Sequence, residues 1–314
     1  MEEKKKPRIN IHIVFGIILL AIITICIVKL IQWNGRTTVV DLDIEEGAYD
    51  MECLDFYVYP EEEMLAARKD DGVEDIVVFG NNYVNNYGEK HSVINIMKDK
   101  LDANIIDLTV DKSKLGCFNL NITNGIDSFS LYNLIQQIDS SDFSALQISA
   151  WEEAFANHNR YDSFMDNIVS LDFNDVDTVM IMYSLYDYYN EGPTIYLDEY
   201  NPYGYHGALL STVKYLQDEY PHLSIIISSF TPEYITDDEG NMLLSLETDF
   251  GWGTSSAYFD HQYAIATQRC VSFIDNYFYE INEKNITDYL DCLELNDKGI
   301  DLIGEHVVNF IKHK

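Results

Sequence analysis

Asp75–Asn85 reads DIVVFGNNYVN, and this stretch decides the fold. Ile76, Val77, Val78 and Phe79 form an unbroken apolar run that Gly80 stops, after which polar residues lead into a helical pattern. A short strand that is apolar on both faces marks the interior of a parallel sheet and a tight turn at its end. In open α/β sheets ligands bind at the carboxyl ends of the strands. Asn81 and Asn82 therefore stand where a site is expected.

Downstream, the same alternation continues. His91–Ala103 carries Val93, Ile94, Ile96, Met97 and Leu101 at helical spacing, and Asn104–Val110 follows as a second strand. Ser128–Ile138, Asp142–Ala156 and Tyr161–Leu171 read as helices before Thr178–Tyr183 (TVMIMY) returns as a buried strand. Gly204–Glu219 is helical, Ser224–Phe230 a strand, Ser256–Arg269 helical, Val271–Ile274 a short strand and Asn296–Lys312 the closing helix. Strands joined by helical crossovers predict a three-layer α/β/α domain with a flavodoxin-like parallel sheet. No internal repeat or low-complexity stretch is present.

Upstream, Ile11–Val28 is apolar apart from His12 and Thr24, and Leu30, Ile31 and Trp33 extend it to a spanning length. Residues 11–33 read as one transmembrane helix after a short tail, residues 1–10. Lys4, Lys5, Lys6 and Arg8 precede it while Lys29 and Arg36 follow, which places the N-terminus in the cytoplasm and the remainder outside. A cleavable signal peptide competes, but no small-x-small site follows, so an uncleaved anchor in the plasma membrane is preferred. Cys26 invites a lipoprotein reading that Ile25 before it disfavours. Residues 34–74 form an acidic juxtamembrane region with a short helix beginning at Pro60, and residues 75–314 form the main domain.

The 314-residue chain carries a formal charge of −33, and most of its basic residues are scattered singly. Nothing neutralises a phosphate backbone, so nucleic acid is not an expected partner. Cys53, Cys117, Cys270 and Cys292 lack CxxC spacing, which indicates neither a zinc site nor a disulfide pairing. Cys270 borders an apolar stretch and reads as a small core residue.

From about Glu74 onward the chain resembles an extracytoplasmic subgroup of the SGNH (GDSL) hydrolases. The words LDFNDVDTVMIMY, YPHLSIIISSFTP, SFIDNY and LNDKGIDLIGEHV keep that family's rhythm. The family's Gly-Asp-Ser falls on Gly80-Asn81-Asn82, so the position of the nucleophile holds an amide. Its second-block glycine falls near Val110–Ser113, where there is none, and Gly116 is the nearest. Its Gly-x-Asn-Asp falls on Ser184-Leu185-Tyr186-Asp187, which puts a phenol at the oxyanion donor. Its Asp-x-x-His falls on Asp291-Cys292-Leu293-Glu294, which makes the base a carboxylate.

The resemblance implies an esterase or acyltransferase on acylated envelope glycans, whereas the substitutions at Asn82, Tyr186 and Glu294 imply lost catalysis. Removing the nucleophile of a triad alone costs on the order of 10⁶ in turnover. The preferred reading is an inactive, membrane-anchored, extracytoplasmic binding or scaffolding protein at the cell envelope, with Asn81, Ser184 and Asp187 as further ligand-binding candidates. Ser228 and Ser229 stand at a strand end without an evident histidine partner. Asp187, Asp291 and Glu294 would converge at the old catalytic mouth. Such carboxylates serve glycoside chemistry or a hard cation such as Ca²⁺, or are simply solvated, and the last is favoured. No metal or cofactor is expected.

Tyr186–Tyr189 (YDYY) and Tyr196–Tyr205 (YLDEYNPYGY) suit a carbohydrate or envelope-protein groove, or plain packing. Among the histidines, His222 reads as a turn residue and His306 as a solvent-facing or packed residue of the closing helix. His261 follows a Gly/Ser/aromatic run that admits a loop over the pocket, but a surface histidine is the preferred reading.

Overall fold

The computed structural model describes residues 19, 22–24, 52–66, 68, 72–117, 125–148, 151–190 and 192–313. Residues 51–314 form one compact unit. Residues 11–33 lie almost wholly outside the described ones, and among those described no helix is long and apolar enough to cross a membrane.

The continuous apolar runs become the interior strands. β1 (Glu74–Gly80), β2 (Ala103–Thr109), β3 (Thr178–Met182) and β4 (Ser224–Ser228) precede two short strands, β5 (Tyr234–Thr236) and β6 (Met242–Leu244). β7 (Ser272–Ile274) completes a five-stranded sheet of order β2-β1-β3-β4-β7. Every pair in it is parallel, with Val77 opposite Ile106 on one side and Val179 on the other. β5 and β6 form a separate antiparallel hairpin, as do β8 (Leu290–Asp291) and β9 (Glu294–Leu295). Sequence periodicity did not signal these two hairpins, because strands of two or three residues carry no resolvable period.

Alternation along the strands splits the core in two. Val77, Phe79, Val179, Ile181 and Ile227 face helices Leu131–Ser140, His158–Ser170, Tyr205–Glu219 and Ser255–Arg269. Ile76, Val78, Met180, Met182 and Ile226 face helices Val93–Lys100 and Asp297–Lys312. Burying each such side chain contributes about 1.5–3 kcal/mol. Both faces of the sheet are thereby covered, which satisfies the all-apolar strands.

The order reverses between β1 and β3, because β2 lies outside β1 while β4 and β7 lie beyond β3. A crevice at the carboxyl ends of these two strands is the usual ligand position in such sheets. Gly80 makes the junction possible: a Cβ there would lie 2.3 Å from the Met182 carbonyl oxygen.

Part of the stretch read as juxtamembrane packs on this unit. Phe56 exchanges backbone hydrogen bonds with Phe273 at 3.1 and 2.9 Å, closing the open edge of β7. The helix predicted from Pro60 begins later, at Glu62, and Arg68 beyond it donates to the His222 and Asp177 carbonyls and to Ser224 Oγ.

Candidate functional site

The turn after β1 sets the site. Asn81 caps the short helix Asn82–Asn85 by accepting from Tyr83 N, and its amide donates to the Ser113 carbonyl and Ser184 Oγ, both at 3.1 Å. Asn81 and Ser184 thus tie the β1 turn to the β3 turn, and neither is free to hold a ligand. Asn82 points along the crevice instead. Its Oδ1 accepts from Lys112 N at 3.2 Å, and its Nδ2 donates to the Tyr87 hydroxyl at 3.3 Å.

Lys112 explains the missing glycine of the second block. It adopts φ +58°, a left-handed conformation that favours glycine, and presents its N–H to residue 82. Gly116 points elsewhere: its N–H and that of Leu115 donate to the Asp187 carboxylate at 2.9 Å each. Asp187 is therefore a buried staple for that loop and does not join Glu294, contrary to the convergence read from sequence. Burial raises its carboxyl, while the Lys114 charge and the two N–H groups pull it down.

Tyr87 is the residue that sequence reasoning missed. Asn86 (φ +49°), Tyr87 (φ +54°) and Gly88 (φ +77°) take three successive left-handed conformations. Such backbone costs about 1–3 kcal/mol per non-glycine residue and persists only where its surroundings fix it. The result is that the Tyr87 hydroxyl donates to Glu294 Oε1 while receiving the Asn82 amide. Tyr186 lies close to the same group, beside Tyr87, Asn82 and Glu294. Asn82, Tyr87, Tyr186 and Glu294 consequently form one polar cluster at the mouth of β1 and β3.

Titration of these phenols is suppressed. Burial, then the hydrogen bond to Glu294 and the nearby Tyr186 and Glu294 charges, push Tyr87 well above the usual phenol range. Burial likewise pushes Tyr186 up to about 12. At neutral pH both are hydrogen-bond donors, not nucleophiles. Asp291 pairs with Glu294 across the β8–β9 hairpin. Both line an open cleft of about 530 Å³ with Glu89, Asp288, Asp297 and Lys298.

Most of the tyrosines at the strand ends are packing groups. Tyr188 meets Tyr189, Phe250 and Tyr258 edge-on at 4.8–5.4 Å, and Tyr205 is buried against Tyr258. Tyr196, Tyr200 and Tyr203 remain exposed.

His261 lies in helix Ser255–Arg269, half-buried, and its Nδ1 meets His206 Nδ1 at 3.0 Å. His222 is buried with Nε2 3.0 Å from the Phe173 carbonyl. His306 is buried and faces Asp55. Ser228 and Ser229 accept from Asn276. Cys270 is exposed rather than in the core, because the helix ends there at φ +52° and Val271 takes the buried position.

No family model and no curated protein matches this chain. Solved structures do share its fold. A Lactobacillus plantarum protein superposes over 77% of this chain and 97% of its own, with a TM-score of 0.53 at 14% identity. A possible lipase from Chitinophaga pinensis covers 76% and 98% with a TM-score of 0.47 at 13% identity. A carbohydrate acetylesterase family member from Sinorhizobium meliloti covers 77% and 98% with a TM-score of 0.46 at 11% identity. At such identities the likeness is one of fold.

Proposed function

We propose that residues 75–314 are an SGNH hydrolase-like domain that has lost serine-type ester chemistry and acts in binding or scaffolding at the cell envelope, anchored in the plasma membrane by residues 11–33. The observation that carries this reading is the Tyr87 hydroxyl seated between Asn82 and Glu294. In the family pattern those two positions hold nucleophile and base, and the reacting atoms need the space between them. Here an amide, a neutral phenol and a carboxylate bond to one another there, leaving neither an activated hydroxyl nor an imidazole.

What the cluster offers is hydrogen bonding. Glu294 and Asp291 supply acceptors and Lys298 a donor along the adjoining cleft, which is large enough for a sugar unit. A polyol such as an envelope glycan matches acceptor carboxylates with its own hydroxyls.

The test is turnover of p-nitrophenyl acetate and of an acetylated glycan by the purified full chain beside Asn82→Ala and Glu294→Ala. No turnover above background is expected from any of them. Wild-type turnover that either substitution abolishes would instead establish a working esterase or acyltransferase on acylated glycans. For the location, protease added to intact cells should digest the domain, and complete protection would overturn the topology.

A further inference from the structure

Away from the crevice, Cys53, Asp55 and His306 bring a sulfur, a carboxylate oxygen and an imidazole nitrogen within 4.8 Å of one another. The tautomer of His306 follows from its neighbours. Asn276 Nδ2 donates to the Ser229 carbonyl at 2.7 Å and to Ser228 Oγ at 2.8 Å, so its Oδ1 is the atom that faces His306 Nδ1 at 3.0 Å. Nδ1 must therefore carry the hydrogen. Nε2 is left facing Asp55 Oδ2 at 2.8 Å, and two lone-pair atoms at that distance require a cation between them.

A proton satisfies this demand, and so does a metal ion. The second answer fits more of the surroundings. A metal-bound histidine characteristically donates its other ring N–H to a fixed oxygen, which Asn276 supplies. The Tyr279 ring stacks on the imidazole at 3.8 Å and holds its plane. Asp55 Oδ1 is already occupied by Asp275 N at 2.7 Å, which orients Oδ2 toward Nε2. Cys53 Sγ stands beside both, donating to the Asp275 carbonyl at 3.3 Å. The Asp275 carboxylate, bonded to Leu54 N at 2.8 Å, adds further negative charge close by.

We propose that Cys53, Asp55 and His306 bind a zinc-class divalent cation, with a fourth position open to solvent, and that this ion clips residues 52–58 to the closing helix. The N, S and O donors exclude a preference for Ca²⁺ or Mg²⁺. Tetrahedral zinc bond lengths place such donor atoms about 3.3–3.6 Å apart, so closure needs shifts on the order of 1 Å. Binding releases the Cys53 thiol hydrogen as a proton, together with any proton held between His306 and Asp55. Because Cys53 and His306 are far apart in sequence, the ion would act as a cross-link, and its binding free energy would add to the stability of that junction.

The test uses the purified full chain, stripped with chelator and titrated with Co²⁺ alone. One equivalent should produce thiolate-to-cobalt absorption in the near ultraviolet, and Zn²⁺ should abolish it by displacement. Cys53→Ser should remove the band, and Asp55→Asn should weaken binding at least about tenfold. Cys53 is only half-buried, so its variant is expected to fold, and circular dichroism checks this. Absence of the band in the wild type, or a band that survives Cys53→Ser, would overturn the proposal and leave a plain hydrogen bond between His306 and Asp55. Binding confined to the His206–His261 pair would give no thiolate band and would overturn it equally. Esterase assays do not enter this test, so it stands or falls independently of the function proposed above.

Discussion

The Tyr87 hydroxyl donates to the Glu294 carboxylate across 207 residues of chain, and that single bond joins the turn after β1 to the β8–β9 hairpin. It is made by a residue in left-handed backbone. A hydrogen bond to a charged group contributes about 1.5–3 kcal/mol, and it must outweigh the strain of the turn that delivers it. Tyr87→Phe should therefore lower the unfolding free energy by about 1–3 kcal/mol in urea titration, with the slope of the transition unchanged. A loss below the error of the extrapolation would mean that the bond contributes nothing.

The same geometry governs any attempt to rebuild catalysis. Asn82→Ser with Glu294→His and Tyr186→Asn supplies a hydroxyl, an imidazole and an oxyanion donor, and Lys112 N already faces position 82. The Tyr87 phenol would still occupy the space between them. The triple variant is expected to remain inactive toward p-nitrophenyl acetate, and adding Tyr87→Gly, which also relieves the left-handed strain, should give measurable hydrolysis. Equal activity with and without the Tyr87 change would show that the phenol does not block the mouth.

Gly80 tests the packing of the crevice floor. A methyl at this position meets the Met182 carbonyl at 2.3 Å and Val84 Cγ2 at 2.9 Å, so β1 and β3 would have to separate. Overpacking of this kind costs about 1–3 kcal/mol. Gly80→Ala should fall at the upper end of that range in thermal or urea unfolding, since one of the two obstacles is backbone. A neutral result would contradict the close approach of the strands.

The strands were legible because interior parallel strands must be apolar on both faces, and DIVVFG, TVMIMY and SIIIS admit no other reading. Most helices followed from their spacing, within a few residues at each end, whereas Asp142–Ala156, read as one helix, is two short ones, Ser144–Ile148 and Trp151–Ala154. The site was only half legible. Asn82, Tyr186 and Glu294 could be placed by motif, and the structure does bring them together. Tyr87 could not, because its part depends on three left-handed residues and on a partner in a distant hairpin. Asp187 kept its motif position but turned to the Leu115 and Gly116 amides, a loop contact that no spacing rule encodes. His306 gave no signal either, since its partners Asp55 and Asn276 lie far away in the chain.

Glu233, in the loop after β4, is fully buried. Its two carboxyl oxygens each lie 3.4 Å from Leu185 N, and no cationic group opposes it among the described contacts. Burial raises its pKa well above the ordinary value of 4.5, and the Leu185 N–H opposes this only weakly. The folded protein thus keeps a proton that the unfolded chain releases once the pH passes the ordinary carboxyl range. Stability contributed by the neutral acid is present below that range and is lost as pH rises toward the folded pKa. Glu233→Gln keeps the shape and the acceptor for Leu185 N but carries no proton to lose. The wild type should accordingly lose stability relative to Glu233→Gln between about pH 5 and about pH 8, on the order of 1.4 kcal/mol for each unit of pKa elevation spanned. Unfolding curves of both proteins at the two pH values decide the matter. A difference that does not change with pH would show that Glu233 is ionised in the fold, with a counter-charge or a hydrated path that the buried position conceals.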